Sequence, residues 1–201
     1  MDERFYNINK KKKLGQWVEV QGTGSTAYDL GLFYVSKTVK ELLETYYYAK
    51  KNISKRIPQE IYEIKDENYE VYFINRVFSV YIDVGLAKLI DKTKKTWSLY
   101  NLLKVVEKYN WPDEMQIKNE VGVFATDIKY IQKARHERHA HVSQKNKPNL
   151  FYTNAGLEET YRNKVKKAME LVDNFVDGEI PYLIRYNESK EHDLREGINS
   201  K

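Results

Sequence analysis

A chain of 201 residues with 41% hydrophobic content suits one domain with its own core and is too apolar to stay unfolded. It has no cysteine, which excludes disulfides and thiolate metal sites and fits a cytoplasmic location. No run of about 18 apolar residues exists to span a membrane, and a net charge of +5 makes an anionic partner plausible.

Residues 1–24 read as an irregular N-terminal arm. Its start, MDERFYNINKKKK, lacks the apolar stretch of a secretory signal. The arm ends in QGTGST, where neither a preceding strand nor a lysine-serine pair supports a phosphate loop. A turn leading into a helix is expected instead, with Ser25 or Thr26 as its cap.

From there Tyr28, Leu32, Val35, Val39, Leu42, Tyr46 and Ala49 recur at steps of four and three, the mark of one long amphipathic helix. Pro58 breaks the chain. NYEVYFINRVFSVYIDVGL follows, rich in β-branched and aromatic residues. It is too long for one strand and no turn divides it, so a buried helix from about Asp66 to Asp91 is expected. TWSLYNLLKVVEKY reads as a short helix capped by Thr96 or Ser98, with Pro112 in the first turn of the next.

That fourth helix carries Ile117, Val121, Phe124, Ile128 and Ile131 on one stripe. Continued, the stripe meets Arg135, Arg138 and His139. SQKNKPN then forms a loop. A last helix, capped by Asn154, uses Leu157, Tyr161, Val165, Ala168, Val172 and Phe175, and Gly178 ends it. Residues 179–201 read as a charged C-terminal tail, leaving 25–178 as the helical domain, and no internal repeat is visible.

KARHERHAHVSQKNKP, residues 133–148, holds three of the four histidines: His136, His139 and His141. Three readings compete. A metal site fits poorly, because Arg135 and Arg138 repel a cation and His141 points away from the face shared by His136 and His139. A solvated helix end explains basic residues opposite the macrodipole, yet not why the core stripe itself turns into arginine and histidine. Phosphate chemistry uses both residue types: arginine offers a planar, permanently charged fork, and histidine moves a proton near neutral pH. Together they can cleave RNA without a metal, with the adjacent 2′-hydroxyl as nucleophile. Lysine clusters at 10–13, at 92, 94 and 95, and at 164, 166 and 167 read first as solubilising surface.

IKYIQKARHERHAHVSQ resembles the signature of HEPN domains, α-helical domains marked by an arginine, four to six residues and a histidine at the end of a long helix. Five residues separate Arg135 from His141. The upstream LAKLIDKTKKTWSLYNLLKVVEK is similar to the matching region of the abortive-infection subgroup, and the resemblance covers roughly residues 27–178. One departure is His136, where asparagine is common after the arginine.

The resemblance implies an all-α bundle of about five helices, with the motif at the end of the long fourth helix. It implies a homodimer whose motif helices meet across a two-fold axis. The activity it implies is that of a metal-independent endoribonuclease of a toxin–antitoxin or phage-defence system, with RNA as substrate and no cofactor. An antitoxin partner, for example a nucleotidyltransferase, would accompany it. Arg135 would hold the scissile phosphate and His141 would transfer protons. His136 and Arg138 would be auxiliary contacts, and His139 is the reserve for His141. Two other readings stay open: a non-catalytic nucleic-acid or nucleotide-binding module, and a dimeric interaction protein.

Overall fold

The computed structural model describes residues 12–13, 27–56, 69–134, 158–187 and 190–199. Among them the chain is mainly helical, with five helices of ten residues or more. Helix α1 spans Ala27–Arg56 and α2 spans Tyr69–Leu89. Helix α3 is Leu99–Lys108, α4 is Glu114–Asp127, α5 is Lys129–Ala134 and α6 is Asn163–Asp173.

The predicted α1 stripe is the core: Tyr28, Leu32, Val35, Val39, Leu42, Tyr46 and Ala49 are all buried. Helix α2 packs chiefly against α1. Gly85 permits that approach, because a Cβ there would stand 2.7 Å from Leu42 Cδ2. The apolar segment is thus helix rather than strand, as its undivided length requires. Ile82, Leu86 and Leu89 of this helix are fully buried.

Ser98 caps α3, its hydroxyl accepting from the Asn101 amide at 3.4 Å and donating to the Asp91 carbonyl at 2.6 Å. Buried Trp111 meets Tyr28 edge-on, ring centroids 5.7 Å apart. Pro112 lies one residue before the Asp113 cap position of α4, outside the first turn where it was expected. A proline there still costs no helical hydrogen bond.

The fourth helix is not continuous. It breaks at Ile128 (φ −101°, ψ 6°), where the Ile131 amide turns back to the Ile128 carbonyl at 2.9 Å. The stripe survives the break, since Ile117, Val121, Phe124, Ile128 and Ile131 are all buried. Packing of that face against the core holds the direction that the backbone ladder gives up.

A π-helical turn, Glu158–Arg162, leads into α6. Tyr161, Val165, Ala168, Val172 and Phe175 are buried as predicted, while Asn154 and Leu157 lie outside the described residues. Helices α4 and α6 are braced by Glu120. Its carboxylate accepts from Gln116 Nε2 at 3.0 Å, from Lys167 Nζ at 3.0 Å and from Asn174 Nδ2 at 3.4 Å. The Gln116 hydrogen bond first, then that of Lys167, holds this carboxyl below its ordinary range. A depressed folded-state pKa stabilises above the unfolded value, and the gain disappears as pH falls through the folded value. Glu120→Gln should therefore lose less melting temperature than wild type between neutral and acid pH, read by circular dichroism.

The charged tail expected from residue 179 is instead folded onto the core. Strand β2 (Val176–Asp177) pairs in parallel with β1 (Lys12–Lys13), so two residues of the N-terminal arm are also regular. Gly178 follows at φ 117°, a conformation that suits glycine. Strands β3 (Leu183–Asn187) and β4 (Lys190–Asp193) form an antiparallel hairpin, and α7 spans Leu194–Asn199. Ile180, Tyr182, Leu194 and Ile198 are buried. Sparse apolar residues among many charges concealed this in the sequence.

Candidate functional site

The buried stripe of α4 and α5 runs to Ile131, three residues before Ala134, where α5 ends, and the next residue in the chain is Arg135. Arg135, His136, Arg138, His139 and His141 all lie outside the described residues. The described part of the site is therefore the platform that delivers the chain to this motif.

Helix α5 packs against α2. The π turn brings Tyr161 to the same end, where its hydroxyl donates to Asp83 Oδ1 at 2.8 Å, both residues being buried. Ser79, one turn before Asp83 on α2, also hydrogen-bonds Tyr161. Burial first, then the Asp83 charge, pushes the Tyr161 phenol far above its ordinary value. It stays a protonated donor at any physiological pH. Tyr130 of α5 is close enough to Tyr161 to add to that shift. It is half exposed, and Lys164 Nζ stands 5.4 Å from its ring centroid.

A buried carboxylate, three hydroxyls and a lysine thus gather beside α5, the helix that leads into Arg135. Buried charge is costly unless partnered, so such a cluster needs a reason to persist. The sequence did carry a signal for Asp83: it is an acid inside an otherwise apolar run, VYIDVGL. Tyr161 read only as core. Its polar duty needed the π turn, which periodicity does not reveal and which is frequent near functional sites.

Among the described residues no group of three or more histidine, cysteine, aspartate or glutamate side chains is arranged to hold a metal ion. Nor is any described helix long and apolar enough to cross a membrane.

Fold and platform together define a mainly helical protein with a buried polar cluster beside α5. No family model, curated protein or solved structure matches the chain.

Proposed function

We propose that the chain is a HEPN-type, metal-independent endoribonuclease that cuts RNA by attack of the 2′-hydroxyl, acting in a toxin–antitoxin or phage-defence system. One observation carries this reading: a buried apolar stripe, continuous across the Ile128 break, reaches Ile131, and the residue four positions on in the sequence is Arg135. A core face that continues into charge calls for a ligand or a partner.

In this reading Arg135 binds the scissile phosphate and stabilises its developing charge. His141 acts as base on the 2′-hydroxyl or acid to the leaving oxygen. His136 and Arg138 are auxiliary phosphate contacts. Two copies of the chain meet at this end, in the cytoplasm, and an antitoxin such as a nucleotidyltransferase restrains them. The second reading, a non-catalytic nucleic-acid or nucleotide-binding module, gains support from the exposed lysines of the loop between α2 and α3. It predicts binding without cleavage. A dimeric interaction protein would show neither.

No cofactor and no metal enter the mechanism. Cleavage of a labelled RNA should proceed undiminished in excess EDTA. Loss of cleavage with EDTA and rescue by a divalent ion would revive the three-histidine metal site instead.

Gly122 tests the assembly. It lies mid-helix in α4, and a Cβ added there meets nothing within 4 Å. Within one protomer Gly122→Ala should therefore stabilise by about 1 kcal/mol, the helix-propensity difference. If a second copy packs closely on α4, the same change should weaken the dimer in sedimentation at micromolar concentration. A wild-type chain that is purely monomeric there would contradict the composite site.

A further inference from the structure

We propose that the loop joining α2 to α3, with the aromatic rings beside it, is a docking surface for single-stranded nucleic acid. This surface does not depend on the ribonuclease reading.

The segment 88–104 holds five lysines and one acid, Asp91. Asp91 is occupied locally, its Oδ1 accepting the Thr93 amide at 2.8 Å. The loop is held from below. Ser98 Oγ donates to the Asp91 carbonyl at 2.6 Å, and Asn101 Nδ2 donates to the carbonyls of Thr93 (3.1 Å) and Thr96. Thr96 Oγ1 donates to the Thr93 carbonyl at 3.0 Å. A loop tied at this many points is organised before any partner arrives, which lowers the ordering cost of binding.

What it presents is positive charge. Lys92, Lys94 and Lys95 are exposed, and none makes an ion pair among the described residues. Lys40, Lys118 and Lys167 each have a glutamate partner, while exposed Lys37, Lys88 and Lys129 make no ion pair among the described residues, so what marks this loop is three such lysines within four residues of one tied turn. Solubilising lysines need no such scaffold of hydrogen bonds beneath them.

Flat rings flank these charges. Tyr34 of α1 stacks on Trp97, centroids 5.9 Å apart and planes within 10°, and Tyr34 is 39% exposed. Lys92 Nζ lies 4.7 Å from the Tyr100 ring centroid. Lysines that neutralise phosphates beside rings that receive bases are the two components of a single-strand site. The exposed tip, Lys92 to Lys95, has no aliphatic side chain to insert into a bilayer. A duplex hides its base faces in its own stack, so the rings favour an unpaired strand.

The test uses the full chain and a fluorescein-labelled single-stranded deoxyoligonucleotide, which lacks the 2′-hydroxyl and so cannot be cut by the proposed chemistry. Anisotropy titrations are run across a range of salt concentrations. Replacing Lys92, Lys94 and Lys95 by alanine together should lower the salt slope by about 2, at about 0.7 per lost phosphate contact. Replacing all three by arginine should restore it. Tyr34→Ala should weaken single-strand binding by about 5- to 150-fold and leave duplex binding nearly unchanged. Unaltered melting curves check that these exposed changes spare the fold. Wild-type affinity and salt slope in the triple alanine variant would overturn the proposal. So would polyglutamate competing as well per charge as the oligonucleotide, or anionic vesicles binding in preference to it. RNA cleavage that persists while these lysines prove irrelevant would leave the ribonuclease reading intact and remove this one.

Discussion

Arg135→Ala should lower RNA cleavage by about 10²- to 10³-fold, the usual cost of removing one donor to developing charge, and His141→Ala by about 10²- to 10⁴-fold, the usual range for loss of a positioned acid or base. Neither should shift the helical circular dichroism signal or dimerisation. In the proposed mechanism one side chain holds phosphate charge and the other moves protons. A merely solvated helix end would tolerate either change within about 0.5 kcal/mol of stability and show no such loss. Arg135→Lys keeps charge but loses the fork, so RNA binding should recover more than turnover. His139→Ala decides between neighbours. If it abolishes cleavage while His141→Ala does not, the proton-transfer role belongs two residues earlier.

Arg195→Ala should destabilise the protein by about 3 kcal/mol, as expected for breaking a largely buried ion pair. Arg195 Nη1 and Nη2 donate to the two oxygens of Asp173 at 2.9 and 3.0 Å, and only 11% and 16% of the two side chains are exposed. The same guanidinium donates to the Ile180 carbonyl from Nη2 at 2.9 Å, while Asp173 Oδ1 accepts the Ile180 amide at 3.0 Å. One pair therefore ties α7 to the end of α6 and to the strand-leading segment between them. Its loss leaves the Asp173 carboxylate and the Ile180 carbonyl short of donors inside the fold. Arg195→Lys should recover only part of the stability, because an ammonium cannot span both carboxylate oxygens. The double variant Asp173→Ala/Arg195→Ala should cost less than the sum of the two single changes. Urea denaturation gives the magnitude, and limited proteolysis should show cleavage beyond residue 178 appearing first. An Arg195→Ala protein as stable as wild type would mean that the C-terminal hairpin and helix are not part of the cooperative fold.

That second prediction could not have come from the sequence, and the reason is physical. Helices α1, α4 and α6 announce themselves because each buries one face many turns long, so their apolar residues recur with the helical period. The stretch beyond Gly178 docks through Ile180, Tyr182, Leu194 and Ile198 among many charges, and it does so through strand, turn and short helix together. No single period describes it. Its anchor is a pair of charges 22 residues apart, and charge in sequence looks like solvent exposure until its partner is known.

The break at Ile128 was hidden for the opposite reason. Its apolar spacing is uninterrupted, and only the backbone departs from the helix. Around the candidate site, Asp83 stands in the sequence as an acid inside the apolar run VYIDVGL. Its hydrogen bond from Tyr161 was not legible there, since 78 residues separate the two. The Arg135 to His141 motif was the clearest chemical signal in the sequence and lies just past the described end of α5.

The most direct test of the central claim compares one RNA with the same strand carrying a 2′-deoxy nucleotide at the cleaved position. Wild-type protein with EDTA present should cut the RNA, leave a 2′,3′-cyclic phosphate on the upstream fragment, and spare the deoxy-substituted strand at that position. Equal cutting of both strands, or binding of both with no cutting by wild type, would contradict it.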